Sequence, residues 1–138
     1  MGRILSIDYG TKRVGLAITD PLQIIANGLQ TVATAGIFDF LDAYFKKEQV
    51  DCVVVGDPKT LLNKASENAR HVKLFLKKFK EKYPEKKVEL IDERFTSSIA
   101  QRSIIESGLK KKDRRDKSLV DLVSAILILQ TYMEMKSK

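Results

Sequence analysis

The chain has 138 residues, of which 43% are hydrophobic and 31% charged, so it makes one globular domain and is not a disordered segment. No apolar run approaches the roughly 20 residues of a membrane span and no signal peptide opens the chain, so the expected compartment is the cytoplasm, with no membrane partner. Twenty-five Lys and Arg against 18 Asp and Glu leave a net charge of +7, which favours a polyanionic partner, because cations that neutralise phosphates release condensed counterions.

Arg3 to Asp8 reads as a strand with Ile4, Leu5 and Ile7 apolar, and Tyr9-Gly10-Thr11-Lys12 carries turn chemistry. Arg13 to Thr19 follows as a second strand passing through Gly15, and Asp20-Pro21 breaks it. A third strand runs through Gly28 to Val32. Short turns between the three predict antiparallel pairing. Ile37, Phe40, Leu41, Tyr44 and Phe45 then recur at helical spacing, giving an amphipathic helix that ends near Glu48.

Asp51 to Val55 is a short apolar strand of the kind covered on both faces, stopped by Gly56-Asp57-Pro58. Its Cys52 is the single cysteine, a buried thiol by its surroundings; no intrachain disulfide or cysteine zinc site is available. Ala65, Ala69, Val72, Phe75, Leu76, Phe79 and Tyr83 mark a long helix with a lysine face, closed by Pro84. His71, the single histidine, lies on it and reads as a surface residue. Lys87 to Ile91 is a fifth strand, Thr96 to Ser107 a third helix and Ser118 to Met135 a last one. The order β-β-β-α-β-α-β-α-α predicts an α/β fold: a mixed five-stranded sheet, first three strands antiparallel, with helices on both faces.

Three acidic positions stand out. Asp8 ends the first strand, either as a turn residue or as a ligand aimed from the strand's carboxyl end. Asp92-Glu93-Arg94 ends the fifth strand in the same way; its acids either join Asp8 on one sheet edge, pair with Arg94, or cap the following helix. Asp121 stands in Leu119-Val120-Asp121-Leu122-Val123-Ser124-Ala125-Ile126-Leu127-Ile128-Leu129, a helix apolar nearly all round and therefore buried. A buried carboxylate costs several kcal/mol unless paired or metal-bound. Ser124 and Ala125 leave room beside it. Ser118-x-x-Asp121 also fits a capping box, which would make Asp121 the third residue of the helix.

Oxygen ligands without His or Cys suit a hard cation, Mg²⁺ or Mn²⁺, and two such ions would serve phosphodiester hydrolysis. The run Lys110-Lys111-Lys112-Asp113-Arg114-Arg115-Asp116-Lys117, just before the Asp121 helix, reads as a solvated loop or as a loop gripping phosphate near the site. No aromatic-interleaved basic strand points to base-specific reading, which leaves backbone and shape recognition.

Ile7-Asp8-Tyr9-Gly10-Thr11-Lys12-Arg13-Val14-Gly15-Leu16-Ala17, Asp92-Glu93-Arg94-Phe95-Thr96-Ser97, and Asp121 through Gln130 resemble the three signature blocks of the bacterial YqgF-type family, in the right order and over the length of the chain. Members are described as Holliday-junction resolvases or as nucleases that trim the 5′ end of pre-16S rRNA. The resemblance implies a single RNase H-like nuclease domain over residues 1–138. It implies Asp8, Glu93 and Asp121 as catalytic, metal-binding acids and Arg13 as the first-block arginine. Arg13, Arg94, Lys110, Lys111, Lys112, Arg114 and Arg115 are the candidates for contact with pre-rRNA or branched DNA. A role in ribosome maturation makes the ribosome a candidate partner. The family often has Gly-Leu-Pro where this chain has Gly56-Asp57-Pro58, so Asp57 is either a fourth ligand or a turn acid before proline.

Two other readings remain. The first block also matches the Asp-x-Gly-Thr phosphate loop of actin-like and sugar-kinase ATPases, but those close two such domains around a nucleotide and 138 residues supply one. A non-catalytic RNA- or ribosome-binding module would carry the same acids structurally. No dimerisation helix is evident, so a monomer or weak dimer is expected.

Overall fold

Alternation of apolar residues along the first 33 positions produces an antiparallel meander, and the rest of the chain extends it. In the computed structural model, which describes residues 2–57, 67–92 and 117–137, β1 (Arg3–Tyr9), β2 (Arg13–Thr19) and β3 (Ala26–Ala33) pair in sequence, antiparallel throughout. The Gly10 amide donates to the Arg13 carbonyl at 3.0 Å and closes the first hairpin. The second hairpin is closed by Asp20, whose carboxylate accepts the amides of Leu22, Ile24 and Ile25, while Gln23 takes a left-handed φ of 61°.

A 3-10 turn at Thr34–Gly36 leads into α1 (Ile37–Lys47), which returns the chain to β4 (Val50–Asp57). β4 lies parallel to β1. A second crossover, α2 (Glu67–Lys82), ends just before Pro84 and leads to β5 (Lys87–Asp92), parallel to β4. The sheet order is β3-β2-β1-β4-β5, and α3 (Lys117–Ser137) follows.

Helices cover both faces. Leu5, Ile7, Val14, Leu16, Val53 and Val55 meet Ile37 and Leu41 of α1 and Val72, Phe75 and Phe79 of α2. On the other face Ile4, Ala17, Cys52, Val54 and Ile91 meet Ala125, Ile128, Leu129 and Tyr132 of α3. Full burial of each large apolar side chain contributes about 1.5–3 kcal/mol. No helix among the described residues is long and apolar enough to cross a membrane.

The α/β expectation holds, with longer strands than the sequence suggested. β3 extends from Ala26 to Ala33, beyond the predicted Gly28–Val32. β4 continues through Gly56 and Asp57, where glycine and the coming proline had predicted a stop. The ladder explains this: Gly56 pairs with Ile91 and Asp57 with Asp92, so β5 holds the end of β4 extended. The predicted third helix, Thr96–Ser107, and Ala65 lie outside the described residues.

Candidate active site

Three parallel strands, β1, β4 and β5, bring their carboxyl ends to one edge of the sheet, the edge on which open α/β sheets place their sites. Asp8 is at the end of β1, and the ladder sets Asp57 opposite Asp92 at the ends of β4 and β5. The expected convergence of the first and fifth strands is therefore present in the backbone.

Asp121 reaches the same edge because the sheet is hollowed beneath α3. Gly15 of β2 pairs directly with Asp8 of β1. A Cβ on Gly15 would collide with the backbone carbonyl of Asp121, its carbon lying only 2.6 Å away. At Gly28 of β3 a Cβ would stand 2.9 Å from Cγ of Leu122. Gly15 thus lets the helix backbone settle against the sheet, and Gly28 on the neighbouring strand makes room for the Leu122 side chain. Ser6, fully buried, donates its hydroxyl to the Ala125 carbonyl at 2.6 Å and fastens the helix one turn further on. Asp8 and Asp121 consequently flank one residue, Gly15.

Arg13 stands two residues before Gly15 and donates from Nε to Oδ2 of Asp121 at 2.8 Å. The side chains are 34% and 24% exposed, so solvent screens the pair and its net contribution to stability is about 0–1 kcal/mol. Its value is positional: the guanidinium holds the carboxylate at the sheet edge.

Two expectations about Asp121 need correction. Among the described residues the helix already contains Lys117 and Ser118, so Ser118 lies within it and Asp121 beyond its first turn. The carboxylate is also less buried than the apolar sequence implied, being partly exposed beside the guanidinium of Arg13.

Among the described residues no group of three His, Cys, Asp or Glu side chains is assembled. Glu93 lies outside the described residues, as do Arg94, Lys110, Lys111, Lys112, Arg114 and Arg115. Cys52 is buried as expected, and burial pushes its thiol pKa up, which keeps it protonated and inert. The Tyr132 hydroxyl lies 3.7 Å from its sulfur. A hydrogen bond from Tyr132 holds Glu89 below the usual carboxylate range. These groups tie α3 to β4 and β5 and lie within the packed face.

In the sequence Gly15 is only a residue of a β-rich strand. An isolated glycine inside a strand is the available signal of close backbone approach, but it names no partner. Arg13 was read as a nucleic-acid contact; its pairing with Asp121, 108 positions later, has no local signature.

Residues 2–135 match the model of the RuvX family, described as Holliday junction resolvase. The chain belongs to the RuvX family. A relative from Bacteroides thetaiotaomicron is 52% identical over 136 residues, covering 99% of both chains, and one from Christiangramia forsetii is 53% identical over 133 residues, covering 96% of this chain and 98% of the relative. Both bear the name "Putative pre-16S rRNA nuclease". The solved structure of Thermus thermophilus RuvC in complex with Holliday junction substrate shares the fold, with a TM-score of 0.61 at 17% identity over 98% of this chain and 96% of that one. The family resemblance and the RNase H-like sheet expected from the three sequence blocks are thus confirmed for this RuvX member.

Proposed function

We propose that this RuvX-family protein is a metal-dependent nuclease that hydrolyses phosphodiester bonds of structured nucleic acid, with the 5′ end of pre-16S rRNA as its substrate. The observation that carries the reading is the meeting of Asp8 and Asp121 on either side of Gly15, at the edge where three parallel strands end.

Asp8 and Asp121 supply hard oxygen donors without competing His or Cys, which fits Mg²⁺ or Mn²⁺, and Glu93 is proposed as the third acid on the strength of its sequence block. Bound there, such ions would activate a water and stabilise the leaving oxygen of the phosphodiester. Arg13 is proposed to restrain Asp121, or to release it and donate to a phosphate oxygen, since its pair is solvent-screened and weakly held. Arg94, Lys110, Lys111, Lys112, Arg114 and Arg115 are proposed to grip the backbone, with the cytoplasmic ribosome precursor as the setting and a monomer or weak dimer as the working form. The names borne by relatives near 50% identity favour the ribosomal substrate.

A second substrate, the four-way DNA junction, is favoured by the description of the family and by the fold shared with a junction-bound resolvase. One assay separates them: purified protein with Mg²⁺ or Mn²⁺ is offered a pre-16S 5′ leader and a four-way junction. Cleavage of the leader, abolished by Asp8→Asn, by Asp121→Asn and by chelation, is the expected result. Preference for the junction would reassign the substrate, and equal cutting by parent and Asp8→Asn would remove the carboxylates from the mechanism.

A further inference from the structure

On the face of the sheet opposite α3, a cavity of about 370 Å³ opens beside the end of β1. One wall is a single stripe of α2: His71, Leu74, Phe75 and Lys78 fall at i, i+3, i+4 and i+7 and so stand on one side of the helix. The facing wall is Tyr9, with Thr34 and Phe38 beyond it. Tyr9 follows Asp8 directly, and strand alternation turns the two to opposite faces. The cavity therefore lies one residue from the proposed carboxylate site, around the carboxyl edge of the sheet.

The lining selects a class of ligand. Its floor is aromatic and fixed, with Tyr9 and Phe38 each stacked on Phe75 at centroid distances of 4.6 and 5.4 Å. Leu74 is 54% exposed over that floor. Lys78 is exposed at the rim, His71 is half-buried, and neither has a hydrogen bond or ion pair among the described residues. Among the described residues no acidic side chain is found in the lining. An aromatic and apolar recess with a free ammonium at its mouth suits a flat heterocycle carrying an anionic group. Its volume is at the lower end of small-molecule sites, about 300–1,000 Å³, the scale of one nucleotide and not of a duplex.

The rim is also tied to the turn that separates the two sites. Thr34 donates its hydroxyl to the Gly10 carbonyl at 2.7 Å and its amide to the Lys12 carbonyl at 3.1 Å. A strand passing over the Gly10–Lys12 turn, with exposed Lys12 beneath its backbone, would run from Asp8 and Asp121 into the cavity.

We propose that this cavity seats one unpaired nucleotide of the substrate strand beside the bond to be cut, its base against Tyr9 and His71 and its phosphate toward Lys78. The assignment rests on the nuclease reading, and it makes local loss of base pairing a condition of productive binding.

The test uses the full chain, with Ca²⁺ in place of Mg²⁺, and a single-stranded RNA of ten nucleotides in which 2-aminopurine replaces each base in turn. Quenching is expected at one or two adjacent positions, where the base stacks. His71→Ala combined with Lys78→Ala, on the outer side of α2, should weaken binding about tenfold and remove that quenching. Uniform quenching, none at all, or no effect of the double variant would overturn the proposal. AMP alone binding as tightly as the RNA, with the same loss in the double variant, would make this a free-nucleotide site and also overturn it. Cleavage of the leader is scored separately. Cutting that depends on Asp8 with no effect of the double variant on quenching removes the cavity and keeps the nuclease. Position-specific quenching lost in the double variant, from a parent that cuts nothing, keeps the nucleotide seat and removes the nuclease.

Discussion

Beneath α1 and α2 the sheet meets rings: Phe75, Phe79, Phe45 and Tyr83 form a chain of aromatic contacts, with Phe79 and Tyr83 centroids 4.9 Å apart. Beneath α3 it meets Gly15, Ala17, Gly28 and the hydroxyl of Ser6. The aromatic face gains stability from area and from ring contacts worth about 0.5–1.5 kcal/mol each. The α3 face gives up side-chain volume and gains proximity instead, since only small residues let a helix backbone descend far enough to bring Asp121 beside Asp8. Stability and site geometry are thereby assigned to opposite sides of one sheet, and a substitution on each side should fail in its own way.

The largest stability effect is expected on the aromatic face. Phe79 is 1% exposed, and Phe79→Ala should cost about 3–5 kcal/mol in urea unfolding while the protein that remains folded cleaves at the parental rate. Gly15→Ala should cost about 1–3 kcal/mol, because the added methyl meets the Asp121 backbone and the helix must shift to make room. Lifting it moves Asp121, so cleavage by the folded fraction should fall. Parental cleavage by Gly15→Ala would break the distinction between the two faces.

Ser6→Ala removes one buried hydrogen bond to α3 and should cost about 1 kcal/mol, visible in thermal unfolding as a drop of roughly 3–6 °C. Arg13→Gln should change stability by less than about 1 kcal/mol, because the pair it breaks is solvent-screened; a larger loss would show that the pair holds α3 in place.

The smallest effect belongs to Asp42, on the aromatic side. A hydrogen bond from Tyr83, with Lys82 nearby, holds its carboxyl below the usual range. A depressed folded-state pKa stabilises the fold above the unfolded value and loses that contribution as pH falls through the folded one. Asp42→Asn should therefore make stability slightly less steep in pH below about 4, in urea titrations from pH 6 downward. An unchanged acid limb would mean that Asp42 remains solvated in both states.

Much of this was legible in the chain. The alternation of Arg3–Asp8 and Arg13–Thr19, the helical spacing of Ile37 to Phe45 and the apolar run around Cys52 each identify an element, because a buried face repeats every two or about 3.6 residues. Asp8 and Asp121 were legible as unusual acids, and three short blocks together identified the family. The end of β4 was misjudged because Gly56-Asp57-Pro58 carries a local stop signal that pairing with β5 overrides. The capping box that the pattern also allowed is set aside, because its signal is four residues long while the helix already includes Lys117 and Ser118.

By itself, then, the sequence determined what local periodicity and charge can specify: the kinds and order of most elements, a basic chain suited to a polyanion, and acids at strand ends. Tertiary structure alone decided which of these meet. Ser6 fastens to Ala125 across 119 positions and Arg13 to Asp121 across 108, and Gly15 acquires its meaning from a helix backbone that arrives from the far end of the chain. The physical reason is that glycine, serine and arginine carry no signal of a distant partner until a strand ladder and a packed helix bring that partner within van der Waals reach.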